Sequence, residues 1–139
     1  MGGVHIACNY RLVGHSDADV LTHALCDALL GASGLGDIGS HFSDQDVKYR
    51  GRQSLWFLEQ VLDMIKGKQY QVHQIDSVVI AQTPKIEPYR QKIQERFSEI
   101  MELAPEDVSI KAKTNEGIGS VGEKKSIAAW VVCTIKSKS

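Results

Sequence analysis

Three cysteines, Cys8, Cys26 and Cys133, are all this chain has, and no two form a CxxC pair. An odd, scattered set fits reduced thiols in a cytoplasmic protein better than a disulfide framework. Charge of one sign is equally scarce. Sixteen Lys and Arg against seventeen Asp and Glu leave a net charge of -1, which offers no footprint for nucleic acid or an anionic membrane. Any anionic ligand must therefore be held locally, by a few placed donors. No apolar run approaches the roughly 20 residues of a membrane span, and the first residues lack the charged and apolar regions of a signal peptide. Repeats, linkers and low-complexity stretches are also missing, so residues 1–139 read as a single domain. With 42% hydrophobic and 24% charged residues, that domain has the composition of a soluble globular protein.

What is present is patterned. Gly2, Gly3, Val4, His5, Ile6 and Ala7 read as a short first strand. Residues 16–33 read as a helix, with Ser16 and Asp19 spaced as a capping box and Val20, Leu21, Ala24, Leu25, Ala28 and Leu29 as its apolar stripe. A polar loop follows through Asp44, Asp46 and Arg52. Leu55, Leu58, Val61, Leu62 and Ile65 mark a second helix, stopped by Gly67. Residues 75–81 are β-branched and apolar, as in a buried strand. Pro84 and Pro88 then interrupt the chain, and Tyr89, Ile93, Phe97, Ile100 and Met101 form a third helical stripe. Residues 108–112 and 127–135 read as strands around the Gly-rich turn 117–122. This order predicts an α+β fold, a two-layer sandwich of a four-stranded mixed sheet with helices on one face. Val78, Ile80, Ile110, Trp130 and Val132 offer more apolar surface than one helical layer hides. The expectation is that the sheets pack together in an oligomer.

Chemistry concentrates near the start. His23 has Asp19 and Asp27 one helical turn away on either side, where a carboxylate can orient an imidazole. A lone helical histidine is more often structural, and zinc needs about three protein ligands, so His23 alone is not a site. His15 and Ser16 lie where the helix start favours an anion. Asp37, bracketed by Gly36 and Gly39, can present a carboxylate to ligand hydroxyls. Thr114 and Glu116 close a strand, and could hold a phosphate and a hydrated Mg²⁺ or Mn²⁺. The turn 117–122 lacks the GK[ST] of a phosphate-binding loop, which argues against a nucleoside triphosphate site.

Three segments, GHSDADVLTHALCDALLGASGLGDIGSHFSDQD, DSVVIAQTPKI and VSIKAKTNEGIG, follow one another in this order. Together they resemble the 2-C-methyl-D-erythritol 2,4-cyclodiphosphate synthases of the non-mevalonate isoprenoid pathway. The resemblance implies a homotrimer with active sites between subunits. It implies an intramolecular phosphoryl transfer on 4-diphosphocytidyl-2-C-methyl-D-erythritol 2-phosphate, releasing CMP. Position by position it implies Zn²⁺ at His23, and His15 and Ser16 on the substrate phosphate. Asp37, Ile38, Gly39, Phe42, Asp44 and Asp46 would line the sugar and polyol pocket. The segment from Ala81 to Glu87, with Pro84, Lys85 and Ile86, would form the cytosine pocket, completed by Ala112 and Lys113. Thr114, with His15, would act in catalysis, and Glu116 would hold the second divalent metal, Mg²⁺ or Mn²⁺.

Three departures from the family pattern stand out. The family's first strand carries an Asp-x-His pair of zinc ligands, and this chain opens at the Gly-Gly-Val segment that follows it. His23 is thus the one zinc ligand of three that the resemblance places here. Glu123 stands where the family commonly has Arg, and Lys113 where it usually has Thr. The alternative reading that these departures raise is a trimer that binds cytidine nucleotides without turnover.

Overall fold

The structure, a computed structural model, describes residues 1–6, 19–122 and 126–138. Its centre is a mixed three-stranded sheet in the order β2–β1–β3, made of β1 (Tyr70–Ile80), β2 (Val108–Lys113) and β3 (Ala128–Ser137). β2 runs parallel to β1 with Ile80 opposite Lys113, and β3 runs antiparallel with Val78 opposite Trp130. A register shift between Val72 and Gln74 marks an irregularity in β1. Among the described residues there is no fourth strand. The strand expected from residue 2 is replaced by a turn at Gly2 (φ +56°) and Gly3 (φ +76°), followed over residues 4–6 by chain without regular structure. Those angles suit glycine and are incompatible with an extended strand. Ala7 lies outside the described residues.

Helix α1 spans Val20–Ala32 and packs across β3 and against α3 (Ser54–Gly67). It starts at residue 20, later than the expected 16, because Asp19 is the N-cap: its carboxylate accepts the Thr22 amide (3.0 Å) and hydroxyl (2.7 Å). Ser16, expected to cap the helix, lies outside the described residues. The stripe is also wider than the sequence suggests. Thr22, Cys26 and Leu30 are buried beside Leu21, Leu25 and Leu29, while Val20, Ala24 and Ala28 are only half-buried. A helix wedged between a sheet and a second helix must bury two adjacent faces.

In α3 the buried residues are Ser54, Phe57, Leu58, Val61, Leu62 and Ile65, with Leu55 half-buried. Helix α4 (Arg90–Met101) lies against β2 and buries Ile93, Phe97 and Met101. It ends at Glu102 in the left-handed region, φ +57°. Two short α-helices, α2 (Ile38–His41) within the segment expected to be loop and α5 (Gly119–Gly122) within the Gly-rich turn, and three single 3-10 turns at Val47–Tyr49, Glu87–Tyr89 and Pro105–Asp107 complete the described chain.

Odd-numbered β1 residues Ile75, Ser77 and Val79 face the helices and are buried. Ile110 pairs with Ser77 and shares that face, so it belongs to the core and not to the outer face where the sequence reading placed it. The outer face carries Val78, Ile80, Trp130 and Val132. Trp130 and Val132 are 60% and 71% exposed.

Candidate active site

The first turn of α1, the short α2, the segment leading into α3 and the start of α3 line a cavity of about 430 Å³. It is lined by His23, Ile38, Gly39, Phe42, Asp44 and Asp46 of the expected site, and by Ser43, Tyr49, Arg50 and Phe57. Six predicted residues, drawn from α1, α2 and the segment after it, thus line one cavity. His23 sits in the first turn of α1 and reaches across to α3, where its Nε2 is 3.1 Å from the Ser54 hydroxyl. Both hydroxyl and imidazole are positioned by the packing of α1 on α3.

The neighbouring acids have other occupations. Asp27, expected to orient His23, accepts the Ile38 amide through Oδ1 at 2.8 Å and so ties α1 to α2. Asp19 caps α1 and also receives the Gly3 amide at 3.3 Å. Asp37 does not line the cavity. It caps α2 in a reciprocal box, Oδ1 accepting the Ser40 amide at 2.8 Å while the Ser40 hydroxyl receives the Asp37 amide at 3.4 Å. Asp46 caps the single turn Val47–Tyr49 and pairs with Lys48 at 3.6 Å.

Aromatic rings build the apolar side of the cavity. Phe42 meets Phe57, Trp56 and Tyr49 at centroid separations of 5.3, 5.9 and 5.4 Å, each steeply tilted. Edge-to-face arrangements of this kind are favourable because ring edges and faces carry opposite partial charge. Arg52 covers Trp56 at 4.7 Å and Lys48 covers Tyr49 at 5.0 Å. Sequence reading missed Tyr49, Arg50, Ser54 and Phe57. The polar loop gave no sign of which of its side chains turn inward, and Phe57 is indistinguishable from a core residue by spacing.

A second group gathers where the parallel strands β1 and β2 end side by side. Ala81 donates its amide to the Lys113 carbonyl at 3.0 Å, and both Ala81 and Ile86 are buried. Pro84 follows a cis peptide bond from Thr83, and Lys85 is exposed. Ala112 is half-buried, while Lys113, Thr114 and Glu116 are exposed. Gln82, in the same expected segment, accepts the Gly117 amide at 3.1 Å and links the end of β1 to the turn after β2. Glu116 has φ +52° and its amide reaches the Thr114 hydroxyl at 3.4 Å. None of this second group lines the cavity. His15, Ser16 and Glu123 lie outside the described residues.

No three His, Cys, Asp or Glu side chains cluster as a metal site among the described residues. His23 and Glu116 each offer one donor, and neither has a described set around it that fits a tightly held Zn²⁺ or Mg²⁺. No described helix is long and apolar enough to cross a membrane.

Known proteins resemble this chain in sequence and in fold. A sequence model described as the YgbB family matches residues 1–136. The 2-C-methyl-D-erythritol 2,4-cyclodiphosphate synthase of Halothermothrix orenii is 50% identical over 129 residues, 93% of this chain and 78% of that protein. The synthase of Acaryochloris marina is 48% identical over 139 residues, all of this chain and 86% of that one. Among solved structures, the bifunctional IspDF of Campylobacter jejuni superposes with a TM-score of 0.93 at 36% identity, covering 98% of this chain and 37% of that one. A 2C-methyl-D-erythritol-2,4-cyclodiphosphate synthase in its CDP-bound form matches at a TM-score of 0.89 and 32% identity, over 97% of this chain and 87% of that one. Sequence and fold thus agree: this chain belongs to the YgbB family, that of the 2-C-methyl-D-erythritol 2,4-cyclodiphosphate synthases.

Proposed function

We propose that this chain acts in the non-mevalonate route to isoprenoid precursors. It converts 4-diphosphocytidyl-2-C-methyl-D-erythritol 2-phosphate to 2-C-methyl-D-erythritol 2,4-cyclodiphosphate, with release of CMP. The observation that carries this reading is the convergence of His23, Ile38, Gly39, Phe42, Asp44 and Asp46 on one cavity, in a chain about half identical to named synthases. An oxygen of the 2-phosphate attacks the β-phosphorus, that bond forms, and the bond from the β-phosphorus to the bridging oxygen breaks. CMP leaves with the electron pair of that bond. Such a transfer needs little covalent help from a protein and much positioning, because the two reacting phosphates repel each other.

The chain's own residues divide that work. The buried segment at Ala81 and Ile86, with Pro84, Lys85, Ala112 and Lys113, holds the cytosine. Asp44 and Asp46 accept hydroxyls of the sugar and polyol against the Phe42 wall, Ile38 and Gly39 complete that pocket, and Asp37 holds α2 at its edge. His15 and Ser16 bind the phosphate, and Thr114 steadies the charge that develops on the transferred group. A homotrimer with shared sites is part of the proposal. Its support is that the strand-end group lies off the cavity, and that Trp130 and Val132 leave an apolar sheet face uncovered in the single chain.

Zn²⁺ at His23 and Mg²⁺ or Mn²⁺ at Glu116 belong to the proposal as well. Bound there, they would offset diphosphate charge. Each needs donors beyond the described residues of one chain. That shortfall favours one alternative, a trimer that binds cytidine nucleotides but does not react. The deciding experiment incubates the purified chain with the substrate and separates the products, with metal content measured by elemental analysis. Stoichiometric CMP and cyclic diphosphate support the synthase. CDP binding without CMP release leaves the non-catalytic trimer.

A further inference from the structure

Residues 48–52 carry three cations at alternate positions, and the structure puts them to different uses. Lys48 pairs with Asp46 and lies over the Tyr49 ring, and Arg52 lies over Trp56. Arg50, between them, lines the cavity, and among the described residues no carboxylate pairs with it. Among the described residues it is the only Lys or Arg in the cavity lining. Its backbone is fixed on both sides, since the Arg50 amide donates to the Val47 carbonyl at 3.1 Å and the Arg52 amide to the Tyr49 carbonyl at 3.3 Å.

We infer that Arg50 is a substrate-binding residue of this cavity, and that it takes the phosphate carried by the branched polyol. The inference rests on the synthase reading and deepens it. Lys48 offsets Asp46, and Arg50 lines the same cavity as Asp44 and the Phe42, Tyr49 and Phe57 rings. A carboxylate for hydroxyls, an apolar wall for carbon and a guanidinium for an anion together describe a phosphorylated polyol. The planar guanidinium grips two phosphate oxygens at once, which an ammonium does not. The cytosine end of the substrate, held at the strand ends, makes no use of Arg50.

The test compares wild type, Arg50→Ala and Arg50→Lys in the full chain. It measures kcat/KM for CMP release from the full substrate and Kd for CDP, which lacks the polyol phosphate. Loss of a charged, bidentate contact predicts that R50A lowers kcat/KM by about 30-fold or more, with R50K recovering part of it. The CDP affinity is expected to stay within about threefold of wild type, since the exposed Arg50 side chain supports no described packing. Unchanged kcat/KM in R50A overturns the inference and leaves the synthase reading standing. A parallel loss of CDP affinity also overturns it, because the arginine then acts through the fold or on the nucleotide. A wild-type chain that releases no CMP overturns the synthase reading, and the inference with it.

Discussion

Ser54 opens α3 fully buried, and its hydroxyl meets the Nε2 of His23 across 31 residues of sequence. A partner on one imidazole nitrogen sets the ring's orientation and the role of the other nitrogen. Removing that partner should cost more in turnover than in stability. Ser54→Ala is expected to lose roughly 10- to 100-fold in kcat/KM and about 1 kcal/mol of stability, with Ser54→Thr restoring part of the activity. Steady-state kinetics beside urea denaturation check this, and an alanine variant with wild-type turnover would reject a positioning role. Asp19 is the structural counterpart. It is buried, and it holds the Thr22 amide and hydroxyl and the Gly3 amide. Asp19→Ala should destabilise the fold by about 2 kcal/mol, at the upper end for an N-cap, because several donors lose their acceptor. A change in the urea midpoint worth less than about 0.5 kcal/mol would contradict that assignment.

At the scale of elements, the parallel pair β1–β2 is what brings the strand-end group together, and the Gly-rich turn after β2 sets its shape. A Cβ on Gly122 would lie 2.2 Å from the Gly117 carbonyl carbon and 2.7 Å from its Cα. Both are backbone atoms, so no flexible side chain can yield. Gly122→Ala should force residues 117–122 open, disturb the contact from Gln82 to the Gly117 amide, and cost about 1–3 kcal/mol. Turnover should fall by about tenfold or more if Thr114 and Glu116 act as proposed, and activity at the wild-type level would separate this turn from catalysis. Across the same strand pair, Lys111 bonds Asp76 and holds its carboxyl below the usual range. A carboxyl lowered in the folded state adds stability above its unfolded pKa, near about 4, and loses it as pH falls through the folded value. Asp76 is solvent-exposed, so the contribution should be under about 1 kcal/mol. Asp76→Asn is expected to match wild type in urea denaturation at about pH 2 and fall slightly below it at pH 7. The opposite ordering would refute the pairing.

At the scale of the whole molecule, the helices cover one side of the sheet, and Val78, Ile80, Trp130 and Val132 occupy the other. If three chains close around that face, a charge on it should separate them. Val132→Glu is expected to sediment as a monomer with unchanged far-ultraviolet circular dichroism and little CMP release, whereas wild type sediments as a trimer. A monomeric, active wild type would end the proposal of shared sites.

The sequence by itself determined the existence and order of α1, α3, α4 and the three strands, because apolar periodicity of 3.6 or 2 records which face is buried. It did not determine every boundary: β1 starts at Tyr70, ahead of the expected residue 75, where its polar residues hide the strand. It also determined the family, since the run from residue 14 to residue 46 carries so many specific residues. Tertiary structure decided what local pattern does not encode. The N-terminal Gly2–Gly3 pair turns where a strand was expected, because positive φ at both residues bends the backbone out of an extended path. Ile110 joins the core because its register opposite Ser77, a long-range choice, sets the face it occupies. Likewise Arg50 enters the cavity while Lys48 and Arg52 do not, and Ser54 meets His23 only because α1 and α3 pack side by side. Periodicity tells a side chain which way to point; only the packing of elements tells it what it will meet.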